Sequence, residues 1–515
     1  MAAYKYKRII AFATLIMTAL SIGVRAADIE EVKYSAEAIV NASTGNLAPY
    51  MIGSWNADRT TMKNTASAVF TIEKELDYCS CKRFSWGAGA ELMSGYNHEV
   101  RYERYDDGTW GSEWMRPAAV TLRTLYAEAR YRSLYAQIGM KDHQSKIVDG
   151  RLSSGDLVRS NNARAIPGIT IGFVDFRDIP FTNGWLQIDG RIMYGKLMDN
   201  GFRRKQFSRY YGLLATDLYY TYKYCYFRTK PSERFSVIFG MQTAGMFGGN
   251  SKYYEYGKLH HEANIGFRFK DLFKMFFPLQ GNGNGYYEGN SLGAWSLRAR
   301  YRLQNESEIA VYWEKFFEDG SGIGCRNGMD GLYGIQFTMP GQQWLGSVVV
   351  EYLDFRNQSG PLHWAPGDHK KPTIGTESTG GDNYYNNDSF GPYTNYGMSI
   401  GSPMVVAPVY NLDGYPEYLY NRMRGAHFGA LGNISPELAY KLMAGWQKGY
   451  ANGRIPLPYA KSDISAMAGI DWQADRLCKG LSVSCKVAID RGELRGDNFG
   501  AMLSVAYTGS FDLIK

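Results

Sequence analysis

Residues 202–209, FRRKQFSR, set four cations, Arg203, Arg204, Lys205 and Arg209, among aromatic rings. Flat aromatic faces cover the apolar sides of sugar rings, planar hydrogen-bonding groups meet their hydroxyls, and Arg or Lys adds what an acidic glycan requires. The same side chains also suit lipopolysaccharide phosphates or plain solvation. A second candidate is the run Tyr384, Tyr385, Asn386 and Asn387, two rings followed by two amides, which would serve equally well as a structural loop lock. Asn161, Asn162 and Arg164, beside Pro167, carry strong hydrogen-bonding capacity. In a loop folded into an interior every backbone group must find a partner, so these side chains are expected to hold such a loop in place.

Catalytic readings are weaker. The histidines His98, His143, His260, His261, His363, His369 and His427 have no nucleophile or orienting acid at a recognisable spacing. His363 and His369 with Asp368 could ligate a metal, but loop histidines so spaced are usually solvated. Six cysteines, at 79, 81, 225, 325, 478 and 485, lack the paired spacing of a zinc site, and their disulfide pairing cannot be assigned. No cofactor is expected.

The elements that must position these residues are strands. About eighteen segments alternate apolar and polar residues, beginning about residues 50, 65, 84, 121, 134, 169, 185, 211, 234, 292, 308, 330, 344, 424, 438, 465, 481 and 499. In one, Leu481, Val483, Cys485, Val487 and Ile489 oppose Ser482, Ser484, Lys486 and Asp490. In another, Trp295, Leu297, Ala299 and Tyr301 oppose Ser296, Arg298, Arg300 and Arg302, and the next sets Ile309, Val311 and Trp313 against Glu308, Tyr312 and Glu314. An arginine on a lipid face at the midplane costs about 2–4 kcal/mol, so Arg298, Arg300, Arg302, Glu308 and Glu314 are expected to face the lumen of a membrane barrel together. Connections alternate between short, as at Arg132-Ser133, and long, as over 244–291 and 354–423, the pattern of an outer-membrane β-barrel with turns on one side and loops on the other. Residues 267–277, FRFKDLFKMFF, break the period of two and predict a short amphipathic helix inside or below the barrel.

Lys5, Lys7 and Arg8 precede the apolar run 9–22 and a small-residue site ending at Ala26, which predicts a signal peptide over 1–26 and one barrel domain over 27–515. A mean hydropathy of -0.35 would suit a soluble chain. In a barrel only alternate residues touch lipid, so 45% hydrophobic residues and 40 Tyr suffice. Of the formal charge of +7, the four leader cations account for most, leaving about +3, too mild to imply nucleic acid.

Several stretches resemble the Wzi family of outer-membrane capsule-assembly proteins in its Bacteroidetes form. They are 152–169, LSSGDLVRSNNARAIPGI; 286–295, YYEGNSLGAW; 317–334, FEDGSGIGCRNGMDGLYG; 381–403, GDNYYNNDSFGPYTNYGMSIGSP; and 421–429, NRMRGAHFG, followed by 439–458. The resemblance implies an eighteen-stranded barrel plugged by helices, a lectin that attaches capsular polysaccharide to the cell surface without catalysis. Two departures stand out: Ser291 replaces the family's histidine, and the chain runs to Lys515 past its last alternating strand, leaving Phe511 as the aromatic available to the barrel-assembly machinery. Expected partners are the polysaccharide, outer-membrane lipid with lipopolysaccharide, and that machinery, for a monomer. The competing reading is a porin or substrate-specific channel, since arginines facing glutamates resemble a pore wall. The long connections are more than simple loops need and favour a plugged lumen.

Overall fold

The computed structural model describes residues 31–78, 82–276, 289–318, 320–358, 382–452 and 456–513. The predicted leader, Cys79, Cys81 and the group His363, Asp368 and His369 lie outside the described residues. Among the described residues, eighteen antiparallel strands form one closed sheet: Glu31–Ser43, Thr65–Lys74, Phe84–Asn97, Val120–Tyr131, Leu134–Met140, Gly168–Phe173, Leu186–Lys196, Tyr219–Thr229, Phe235–Phe247, Gly289–Arg302, Glu308–Phe317, Gly331–Thr338, Ser347–Asp354, Arg422–Ser435, Leu438–Ala451, Pro456–Gln473, Leu481–Gly492 and Asn498–Asp512. A two-residue piece, Arg177–Asp178, extends the sixth beside the seventh. The first strand pairs with the last, from Glu31 opposite Asp512 to Ser43 opposite Gly500. Closure leaves no sheet edge, the condition for strands to cross lipid.

Three expected starts, 50, 211 and 465, differ from the structure by more than a few residues; each is replaced by one wall strand, the third beginning at Pro456, so the count stays at eighteen. The segment near 50 is a single helical turn, Tyr50–Gly53, buried against inward-facing Ile39, Val69, Met93, Met443, Met467 and Met502. The strand it was expected to supply is Glu31–Ser43 instead, whose outward residues Ala36, Ala38 and Ala42 are small and whose inward Ile39 is apolar. Residues 212–216 form a strand outside the barrel, and the wall strand is Tyr219–Thr229.

Elsewhere the period of two sets the faces. Cys485, Val487 and Ile489 are exposed on the outer surface, while Ala488 and Asp490 between and beyond them are buried. Outside, Trp295 stacks on Phe239 at 5.9 Å, and inward Ser296 is buried.

Among the described residues the lumen holds three inserts, residues 44–64, 141–167 and 382–421, and the inward polar side chains of the wall bind them. Asp490 accepts the Tyr50 amide at 2.8 Å, Glu314 accepts the Leu157 amide at 2.9 Å, and Glu351 accepts both the Ser153 hydroxyl at 2.6 Å and the Ser154 amide at 2.5 Å. The buried carboxyl groups are thereby satisfied by backbone and hydroxyl donors that would otherwise be orphaned in the interior.

The predicted amphipathic helix forms over Phe269–Phe276. Its expected place inside or below the barrel is corrected: it lies on the outer wall. Outward-phase Tyr194 and Lys223 donate to the Leu272 and Met275 carbonyls at 2.7 and 2.6 Å. Met275 lies against outward Gly245 and Gly289, where any side chain would collide with it.

Candidate functional site

At the long-loop end, three excursions of the chain make a cap. Val100–Asp106 and Thr109–Met115 pair across the turn Asp107-Gly108, with φ of 50° and 87°, the mirror-image turn that favours a two-residue hairpin. Gly212–Thr216, Asn250–Glu255 and Lys258–Asn264 form a small sheet, turning at Tyr256-Gly257. Between them Asn200–Gln206 is a short helix. Backbone bonds lace these pieces: Tyr105 N–H to Ser208 O at 2.8 Å, Gly257 N–H to Tyr210 O at 2.9 Å, and Ser208 N–H to Gly414 O at 2.8 Å.

The lacing gathers four rings at the surface. Trp110 and Tyr210 have centroids 4.9 Å apart, Tyr105 and Tyr210 5.0 Å, Tyr105 and Trp110 5.3 Å, and Tyr210 and Tyr256 6.0 Å. Gly257 packs directly on the Tyr105 ring, where a Cβ has no room. Trp110 is 53% exposed and Tyr256 66%, so the rings offer faces to solvent instead of being consumed by packing. Beside them the Asp106 carboxylate accepts Arg104 and Arg209, both at 3.1 Å, and Arg104 also donates to the Arg204 carbonyl at 3.1 Å. Arg204 and Lys205 are exposed alongside. Adjacent aromatic faces edged by guanidinium and carboxylate groups can stack on sugar rings and hydrogen-bond their hydroxyls.

The structure divides the residues first considered for binding. Arg209 and Arg204 are tied to the ring cluster through Asp106 and Arg104, and Lys205 is exposed next to them in the chain. Arg203 is not: it is 6% exposed, its Nε donates to both oxygens of Asp199 at 2.9 Å, and its Nη2 donates to Thr394 O at 2.7 Å. A buried, paired arginine of this kind fastens the helix to the third insert. Tyr384 and Tyr385 are likewise corrected as ligand contacts. Both are fully buried against Phe316 and Phe355. Asn327 donates to the Tyr384 hydroxyl at 2.9 Å, and Asn386 and Tyr418 exchange two hydrogen bonds. They lock a loop.

Asn162 donates to Ser399 O at 3.1 Å, and its Oδ1 accepts the Trp55 amide at 3.4 Å. The Asn161 carbonyl accepts the Ala57 amide at 3.0 Å, Arg164 pairs with Asp58 at 2.8 Å over the Tyr396 ring, and the Pro167 carbonyl accepts the Lys196 amide at 3.1 Å. This segment thus joins all three inserts and the wall. Of the inward wall residues, Arg298 reaches Ile147 O and Gln336 at 2.8 Å each, Arg300 pairs with Glu308 at 2.9 Å, Arg302 lies 3.9 Å from Glu306, and Glu314 is sealed beneath Leu157. They form bonds with one another and with the inserts.

Sequence reasoning missed Tyr105, Trp110, Tyr210 and Tyr256 as a group. The Asp-Gly turn inside 98–119 and the density of rings around it were the available signal.

No protein-family model matches the chain, and no curated protein matches it. Among solved structures it is similar to Wzi, an outer-membrane protein involved in group 1 capsule assembly in Escherichia coli and a carbohydrate-binding β-barrel, at 10% identity over 92% of this chain and 83% of that one, TM-score 0.54. It is also similar to OccAB2 of Acinetobacter baumannii, at 10% identity over 94% of this chain and 98% of that one, TM-score 0.46. At such identities the likeness is one of fold: the chain is a distant Wzi-like barrel of the kind found in the outer membrane of Gram-negative bacteria.

Proposed function

We propose that this barrel is a lectin-like anchor that holds capsular polysaccharide at the cell surface, without catalysis, and that Trp110, Tyr210, Tyr105 and Tyr256 are its glycan contact. The observation that carries this reading is the solvent-facing ring cluster standing on a lumen occupied by the chain's own inserts. A lumen so occupied offers little to a diffusing solute, whereas four rings clustered at the surface, two of them largely exposed, are an unusual exposure to leave without a ligand. The carbohydrate binding of Wzi is consistent with the same use of a similar fold.

Deleting the protein should release capsule into the medium while total polysaccharide synthesis continues, since attachment and synthesis would be separate steps. Complementation with Trp110→Ala/Tyr256→Ala should restore the barrel to the outer membrane but not the attached capsule. If deletion leaves capsule attached and abolishes uptake of a small solute, the protein is a substrate-specific channel and the lectin reading fails.

A further inference from the structure

The helix Phe269–Phe276 sits on a wall that ought to touch lipid. Beneath it, Thr221 and Thr243, in outward phase, are 1% and 6% exposed, and Phe247 is covered as well. Phe267 holds the helix start in a ring cluster, 4.7 Å from Tyr219 and 5.6 Å from Phe269. The far side of the helix is bare: Phe269 and Phe273 are each 79% exposed. Next to this apolar strip around the helix lie Lys270 and Lys274, also exposed, while the helix's one acid, Asp271, is buried and held by Arg268 at 3.2 Å. An amphipathic helix with phenylalanines on one quadrant and lysines on the next, lying at the loop end of a lipid-facing wall, has the composition of an interfacial element. Its exposed side chains are apolar or positively charged.

We propose that this external helix is a docking site for a phosphorylated, acylated lipid of the outer leaflet, the lipid A part of lipopolysaccharide. Phe269 and Phe273 pack among its acyl chains, and Lys270 and Lys274 meet its phosphates. Lys223 contributes by closing the helix C-terminus from the wall.

The test is native mass spectrometry of the purified full chain with added lipid A. Wild type should retain lipid A through the transfer, and Lys270→Glu/Lys274→Glu should weaken retention at least tenfold, with Lys270→Arg/Lys274→Arg restoring it. Phe269→Ser/Phe273→Ser should weaken it similarly. Dephosphorylated lipid A should be retained poorly, and millimolar inorganic phosphate should not compete. Independently of any variant, hydrogen exchange over 269–276 in the wild-type protein should slow when lipid A is added. The proposal is overturned by unchanged exchange there, by equal retention in the charge-reversed variant, by competition from phosphate alone, or by protection of the helix through a second copy of the chain in the absence of lipid.

Discussion

The Tyr385 hydroxyl donates to the Leu157 carbonyl at 2.5 Å, tying together two lumenal inserts that lie 228 residues apart in the chain. Leu157 is in turn held by Glu314 of the wall, so insert, insert and wall form one chain of hydrogen bonds.

Breaking that chain should loosen the plug before it unfolds the barrel. Tyr385→Phe removes two buried hydrogen bonds, the one donated to Leu157 O and the one accepted from the Ser402 amide, and is expected to cost about 2 kcal/mol. Glu351→Ala, which orphans the donors of Ser153, Ser154 and Tyr312, should cost about 3 kcal/mol. In planar bilayers the wild-type protein should show no steady conductance, and Glu351→Ala should show transient openings. Steady wild-type conductance would mean that the inserts do not close the pore.

The wall can be probed by charge. Val487→Arg places a guanidinium on the lipid face and should destabilise insertion by about 2–4 kcal/mol, whereas Ser484→Arg points inward and should be tolerated far better. Heat-modifiable gel migration and outer-membrane yield read the difference, and equal yields would show the faces to be reversed.

Arg203 and its neighbours should separate folding from binding. Arg204→Ala/Lys205→Ala should weaken retention of an acidic glycan about tenfold, roughly 1.4 kcal/mol, and added salt should weaken the wild-type interaction too. Arg203→Ala should instead strand the buried Asp199 and lower stability, by about 3 kcal/mol, with expression and protease resistance falling before any binding is measured. Loss of glycan retention in Arg203→Ala with wild-type stability would contradict its structural role.

The third insert should respond to pH through Glu417, which lies outside the wall strands. Burial pushes its carboxyl up to about 7, against a hydrogen bond from Tyr415 that acts the other way. The folded state therefore holds a proton that the unfolded state has lost, so stability is full below about pH 4.5 and falls as pH rises toward 7, by about 3 kcal/mol in all. Protection of 411–420 against hydrogen exchange, taken relative to the intrinsic rate at each pH, should be greater at pH 5 than at pH 8, and Glu417→Gln should flatten that dependence. A wild-type segment 411–420 equally protected at both would place Glu417 in water.

Much of the barrel was legible from residue order because a strand between lipid and a polar interior must alternate, and few sequences alternate by accident over ten residues. Strands such as Leu481–Gly492 and Gly289–Arg302 declare both faces. The rule weakens where the interior is not polar. Glu31–Ser43 sets Val32, Tyr34, Ala36, Ala38, Val40 and Ala42 outward, and its inward side is interrupted only by Ile39, which packs with Met93, Met443, Met467 and Met502 around Tyr50–Gly53. In Tyr219–Thr229 inward Tyr220, Tyr222 and Tyr226 face the inserts while Phe227 faces out, and rings on both faces hide the strand. Only the tertiary structure decided which exposed-looking residues are exposed. Tyr384, Tyr385 and Arg203 have the composition of a binding site but lie where inserts meet, whereas Tyr105, Trp110, Tyr210 and Tyr256 come from three separate excursions. Burial depends on which distant segment covers a side chain, and alternation along one strand carries no information about that cover. The same holds for Phe269–Phe276, whose helical period is local but whose place outside the wall depends on Tyr194, Lys223 and Gly245 from three other strands.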